Sequence, residues 1–256
     1  LQINLPGPHT PFDAPTAFRE LYDPGRVAPP ILGPHEAPGG LVRFLQQTKP
    51  ELYGLTEADG RSLRMTYLAK ISLIDQVIGE IIAALQLAGR LDDTWVIYGS
   101  DHGELAGDYE LWGKVAMFEG SLRTPLIVRP PGGTVGRRSS ALIDQRDVTA
   151  TLLGITGQGA VGGGRSLLET IEDPGVDQGR EQVVALVEGD PRGGLRTAMI
   201  RTDRHKLVHD LSEDRPDELY DLEADPIEAY NLISDPAEAG VVRTLRDLMY
   251  DELGRG

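Results

Sequence analysis

Trp95-Val96-Ile97-Tyr98-Gly99-Ser100-Asp101-His102-Gly103 is the stretch on which the reading of this chain turns. The run from Trp95 to Tyr98 has the length and the aromatic and β-branched content of a buried strand. It ends in a carboxylate and an imidazole, side by side. Open α/β sheets collect ligands where their strands end, and Asp and His are both metal-ligand types. Downstream, Lys114 in Leu111-Trp112-Gly113-Lys114 offers a compact positive charge suited to an anionic group. Together the three point to metal-assisted chemistry on a sulfate or phosphate ester. The plainer alternative is a polar turn in which Asp101 caps a helix and Lys114 is a solvated cation.

Working outward, apolar residues fall at helical spacing between Glu57 and Ala88: Leu68, Ile71, Ile74, Val77, Ile78, Ile81, Ile82 and Leu85. Gly89 is a natural stop for that helix, and Asp92-Asp93-Thr94 turns the chain into the strand at 95–99. This order, repeated by the run Pro125-Leu126-Ile127-Val128, predicts an α/β class with layers on a largely parallel sheet. Leu1 to Leu5 reads as a short strand feeding a Pro-rich loop over 6–40, which must wrap a surface or line a cleft. Ala141 to Ile155 reads as a strand or loop and then a helix, with Asp147 as its N-cap. Gly154 to Gly164 lacks the strand-before, helix-after context of a phosphate-cradling loop and reads as a flexible connection. Residues 171–180 mark a subdomain boundary. Beyond them, strands at 183–187, 197–208 and 218–222, with a helix over 236–253, suit a small antiparallel sheet with a terminal helix. The acidic run Asp210 to Asp221 reads as a solvated face near a turn. Trp95 and Trp112 read as packing residues.

Composition narrows the partners. The chain has 256 residues, a formal net charge of −15 and no cysteine. Its 40% hydrophobic and 25% charged residues are ordinary for a globular protein. The acidic balance excludes nucleic acid and anionic membrane as expected partners, since both reward basic surfaces. An anionic substrate must therefore be held by local positive charge. No stretch approaches the roughly 20 apolar residues of a membrane span. Lack of cysteine excludes disulfides but leaves a cytoplasmic and a periplasmic location equally open.

Three stretches carry a family resemblance: Asn4 to Phe12, which contains Gly7-Pro8-His9-Thr10-Pro11; Ser100 to Gly132, which contains Asp101-His102-Gly103, Leu111-Trp112-Gly113-Lys114 and Arg123-Thr124-Pro125; and Glu218 to Pro226. In their order and spread they resemble the second half of a type I sulfatase, of the alkaline-phosphatase-like superfamily. The resemblance implies a partial alkaline-phosphatase-like mixed sheet flanked by helices over residues 1–175, the C-terminal portion of the catalytic domain. It implies an α+β subdomain over 176–256. Asp101 and His102 become ligands of a divalent cation, with Ca²⁺, Mg²⁺, Mn²⁺ and Zn²⁺ as candidates; many sulfatases carry Asn where His102 stands, and imidazole favours Mn²⁺ or Zn²⁺. Lys114 becomes the contact to a non-bridging ester oxygen. His9 becomes the residue that touches the sulfate and gives a proton to the leaving oxygen, a task suited to a group with pKa near 6.5. Glu104, Asp108 and Arg123 are expected to support these groups, and Tyr109 stands where the family often has His.

The family nucleophile is a formylglycine made in a C/S-x-P-x-R motif, and a pair of adjacent aspartates completes the metal site. The nucleophile motif does not stand in this chain, and the nearest acidic pair, Asp92-Asp93, sits in a turn between helix and strand rather than after an N-terminal strand; the chain begins at Leu1 without Met. The expectation is a C-terminal fragment, inactive and weakly metal-binding alone, that self-associates or stays with its missing half around a small anionic ester. A phosphonate or phosphate ester hydrolase of the same superfamily, and a non-catalytic binding or scaffold protein, are the rival readings.

Overall fold

The computed structural model describes residues 1–31, 56–114, 116–133, 136–173, 175–176, 179–188, 196–212 and 215–254. His35 and much of the Pro-rich loop lie outside them. The chain forms two compact units. The first comprises Leu1–Gly33, Leu45–Lys114 and Gly120–Thr134; the second comprises Pro34–Phe44, Val115–Glu119 and Val135–Gly256. The segment 171–180 lies within the second.

The first unit is built on one long helix. After the short helix α1 (Thr16–Arg19), α2 runs from Glu57 to Leu87. Thr56 starts it with a capping box, its hydroxyl accepting from Asp59 N while the Asp59 carboxylate accepts from Thr56 N. Gly89, at φ 65°, ends it in the left-handed conformation open to glycine. Met65, Ala69 and Ile74 form its buried stripe, and Tyr22 and Ser72 share a hydrogen bond of 2.6 Å that fastens the N-terminal loop to it. Strand β1 (Val96–Gly99) pairs with β2 (Leu126–Arg129). The pairing is antiparallel, with Val96 opposite Arg129 and Gly99 opposite Leu126, not parallel as the helix–strand alternation had implied. An apolar run does not encode its direction, and the return from Ser100 to Pro125, with the short helix α3 (Glu119–Leu122), brings the chain back reversed. Leu1 to Leu5 is not a strand. Among the described residues no strand pairs with it, and Leu1 and Ile3 are exposed.

In the second unit, helices α4 (Gln145–Ile155) and α5 (Leu168–Glu172) precede a four-stranded antiparallel sheet. Its strands β3 (Val183–Glu188), β4 (Arg196–Arg201), β5 (His205–Asp210) and β6 (Glu218–Asp221) lie in sequence order. The terminal helix α6 (Ala239–Glu252) follows. Asp147 does not cap α4. Asp144 does, and Asp147 sits at the third helical position, buried, where its carboxylate takes both Nε and an Nη of Arg180. Arg180 holds the Asp147 carboxyl below its ordinary value against the effect of burial, which acts the other way.

The sheet is covered on both faces. Ala198, Ile200, Leu207 and Leu219 pack on Leu245 and Met249 of α6. On the opposite face Phe118 meets Tyr220 at 6.1 Å between ring centroids, and fully buried Lys206 donates to Glu228 (2.5 Å) and Met117 O (3.1 Å), with Glu119 at 2.8 Å. That double covering overturns the solvated reading of the acidic run. Asp210, Glu218 and Asp221 are buried. Asp217 accepts from His209 Nδ1 at 2.8 Å and from Arg246 at 2.6 Å, and His209 Nε2 lies 2.8 Å from the Tyr250 hydroxyl. A charge run on a two-sided sheet has no solvent to face, so each carboxylate needs a partner.

Candidate active site

His9, Asp101, His102 and Lys114 all belong to the first unit. The Asp101-His102-Gly103 turn leaves the end of β1 and folds against the segment after Lys114. Gly103 N donates to Ser121 O at 2.7 Å, and a Cβ on Gly103 would stand 2.1 Å from Gly120 O. Backbone approaches side chain distance only because residue 103 has none. Ser121 Oγ in turn donates to Lys114 O at 2.6 Å. Glu104 completes the stitching, its Oε1 accepting from Gly113 N (2.6 Å) and Ala106 N (3.1 Å). The Lys114 backbone is thus tied to the turn that carries Asp101. Its side chain is half-buried, and among the described residues its ammonium makes no hydrogen bond or ion pair.

His102 Nδ1 lies 2.8 Å from Gly103 O. A carbonyl only accepts, so Nδ1 carries hydrogen and Nε2 of the neutral ring presents its lone pair. Asp101 Oδ2 is 3.6 Å from that Nε2, while Asp101 Oδ1 accepts from His102 N at 3.1 Å. Two ligand atoms about 2.1–2.4 Å from one cation, at angles between about 90° and 110°, stand about 3.0–3.9 Å apart. The pair therefore fits two positions of a divalent-cation site, with the ring fixed from behind by a carbonyl in the manner usual for ligating histidines. Asp101 is 86% exposed and His102 32%, so both are reachable. Among the described residues no cluster of three or more such ligands occurs; the fit is to part of a coordination sphere.

The ring of His9 stands 6.3 Å from that of His102, edge to face. His9 Nδ1 lies 2.9 Å from Thr10 O, which again places hydrogen on Nδ1 and leaves Nε2 of this exposed residue as the exchangeable atom. The structure brings His9, Asp101 and His102 together and joins Lys114 to them through the backbone alone.

Supporting residues take particular parts. Asp108 Oδ1 accepts from Ile31 N (2.7 Å) and Arg64 (2.9 Å), fastening the loop between the two halves of the site to α2. That loop holds three residues with side chains at positive φ, Ala106, Tyr109 and Glu110. Tyr109 is buried, with N donating to Ile31 O at 2.8 Å. Arg123 is exposed. Trp112 packs on Phe12 at 5.8 Å, and Phe12 on Tyr67 at 6.1 Å. Burial first, and then the charge of Glu104, push the Tyr67 phenol up, so it stays protonated. Lys70 was invisible to sequence reasoning, because a lysine in an amphipathic helix reads as a solvated face. It donates to His9 O (2.6 Å) and Pro11 O (2.7 Å).

Comparison with known proteins bears on this arrangement. A model of the sulfatase family matches residues 1–158, and one described as N-sulphoglucosamine sulphohydrolase, C-terminal, matches residues 107–253. Choline-sulfatase from Rhizobium meliloti (strain 1021) is 31% identical over 241 residues, 89% of this chain and 45% of that protein. The phosphonate monoester hydrolase of Silicibacter pomeroyi superposes with a TM-score of 0.82 at 26% identity, over 97% of this chain and 54% of the other. That of Agrobacterium radiobacter gives 0.83 at 26%, over 96% and 54%. These matches define the class, an α/β scaffold of the alkaline-phosphatase-like type. The chain belongs to the sulfatase family. It spans about half the length of the curated relatives it matches.

Proposed function

We propose that this chain supplies the anion-binding and leaving-group part of a hydrolase of sulfuric esters. The observation that carries the reading is the meeting of His9 with the Asp101–His102 pair, 6.3 Å between imidazole centroids, at the end of β1. His9 is exposed and its Nδ1 is engaged, while Nε2 makes no hydrogen bond among the described residues, the arrangement of a group that passes one proton at one atom. In the protonated form it gives that proton to the departing alcohol oxygen. Lys114, whose ammonium has no partner among the described residues, brings positive charge to the non-bridging oxygens, where negative charge grows in the transition state. Asp101 and His102 would hold a divalent cation. Such an ion, when bound, polarises an ester oxygen and offsets its charge. No nucleophile is assigned to this chain, which has no cysteine. Alone it is expected to be inactive and to bind cation weakly. Calorimetric titration with Mn²⁺ or Zn²⁺ tests that, and micromolar affinity would contradict it.

A second reading is phosphonate monoester hydrolysis. Its support is the superposition on two phosphonate monoester hydrolases over nearly the whole chain, against the higher identity to choline-sulfatase. Both ester classes present negative oxygens to the same ammonium. Assay of the hydrolase that contains this chain on paired aryl sulfate and aryl phosphonate monoester decides between them. A preference for sulfate in kcat/KM supports the first reading and a preference for phosphonate the second. Loss of neither activity in Lys114→Ala would sink both.

A further inference from the structure

The loop that bears His9 cannot organise itself. Pro6, Pro8 and Pro11 have no N–H to donate, so the loop's carbonyls need donors from elsewhere. Helix α2 provides one. Tyr67, Lys70 and Ile74 lie three and four residues apart and so share one face of the helix. The loop lies along that face: Phe12 packs on Tyr67, and Gly7 approaches Ile74 so closely that an added Cβ would sit 3.1 Å from Ile74 Cδ1. Between these apolar contacts the Lys70 ammonium donates to His9 O at 2.6 Å and to Pro11 O at 2.7 Å, with Asp13 Oδ1 at 3.4 Å. The Lys70 side chain is only 13% exposed, whereas that of Asp13 is 78% exposed. The carbonyls are therefore its main partners, held by charge-assisted bonds.

We propose that Lys70 is a positioning residue for His9. By gripping the carbonyls on both sides of Thr10 it fixes the backbone of the turn. The Thr10 carbonyl then fixes Nδ1 of the His9 ring, which directs Nε2. Sequence spacing does not reveal this, since 61 residues separate the two. The proposal rests on the reading of His9 as proton donor to the leaving oxygen.

The test uses Lys70→Met, Lys70→Arg and His9→Asn with two readouts. The first is ¹⁵N NMR of the His9 imidazole in the full 256-residue chain. Wild type is expected to hold one tautomer with hydrogen on Nδ1, Lys70→Met to average the two, and Lys70→Arg to restore the first because a guanidinium also spans two carbonyls. The second is hydrolysis by the assembled enzyme of ester substrates graded in leaving-group basicity. Lys70→Met should lower kcat about tenfold to a hundredfold on poor leaving groups, in keeping with the cost of a small misplacement. Activated nitrophenyl esters should lose less, with KM little changed. If the His9 signals and the leaving-group dependence in Lys70→Met equal wild type, the positioning role is overturned. If His9→Asn leaves the leaving-group dependence unchanged, the proton-donor reading fails instead, and the NMR alone then decides whether Lys70 orients the ring. Should Lys70→Met not fold by circular dichroism, Lys70→Gln, which retains a donor, is measured against Lys70→Arg by the same criteria.

Discussion

At Gly103 a single hydrogen atom decides whether the site closes. The position needs no left-handed backbone; it needs space, because Gly120 O occupies the place of a Cβ. Gly103→Ala is expected to destabilise the chain by about 1–3 kcal/mol through overpacking against immovable backbone. It should also break the Gly103–Ser121 bond that connects the Asp101 turn to Lys114. Urea unfolding measures the first effect, and an unchanged midpoint would contradict it. Gly113 differs: at φ 92° it has open space around it, so its requirement is conformational alone. The motif residues Asp101, His102 and His9 were legible as a pattern, because their types are rare together and their spacing matched a family. Lys70 was not, since nothing local marks a lysine whose partners arrive from a distant loop.

The helix and strands of the second unit carry a different lesson. Residues 210–221 are rich in carboxylates, and composition alone assigns them to solvent. Asp210, Glu218 and Asp221 are instead buried, and their partners come from several places: Arg215 for Asp210, the Tyr220 hydroxyl for Glu218 and Arg204 for Asp221, with His209 and Arg246 on the neighbouring Asp217. Lys206, fully buried between Glu228 and Glu119, is the extreme case. Burial pushes the Glu228 carboxyl up while Lys206 and the Glu119 N–H pull it back. Lys206→Met should cost about 3–5 kcal/mol, the usual penalty for leaving one buried charge alone. Lys206→Met/Glu228→Gln together should recover most of it, and additive losses in a double-mutant cycle would show that the pair is not coupled. Acid stability follows from the neighbouring carboxylates. Arg204 holds Asp221 down at about 2, from an ordinary 3.8, and His209 and Arg246 lower Asp217 against the opposing effect of burial. A lowered carboxyl stabilises the fold above its unfolded value and loses that contribution as pH falls toward its folded value. The unfolding midpoint should therefore fall between about pH 4 and pH 2. Glu228 acts in the opposite sense, since protonation relieves its burial. In Arg204→Met the loss near pH 2 should shrink; a profile identical to wild type would contradict the assignment.

For the molecule as a whole, the two units differ in how completely they cover themselves. The four-stranded sheet of the second has α6 on one face and the 116–119 segment on the other. The β1–β2 ribbon of the first has, among the described residues, no further strand on either edge, and Ile127 on it and Leu87 at the end of α2 are exposed. A two-stranded ribbon is marginal alone, and open edges recruit other strands. The chain by itself is therefore expected to self-associate or to bind the polypeptide that completes its site. Light scattering after size exclusion checks this, and a stable monomer at tens of micromolar would contradict it. No described helix is long and apolar enough to cross a membrane.

Local chemistry was enough for some of this architecture. The stripe from Leu68 to Leu85 specified a helix that observation places at Glu57–Leu87, and the short runs after residue 183 suited an antiparallel sheet closed by a helix, although the range 197–208 divides into two strands, β4 and β5. Propensity and periodicity act within a few residues, so such features survive without their surroundings. Strand direction between β1 and β2 and burial of the acidic run did not follow from them, and neither did the grip of Lys70 on the His9 loop. Each depends on what lies across space: which edge is free to pair, which face is covered, and which donor reaches a carbonyl that its own proline-rich segment cannot satisfy.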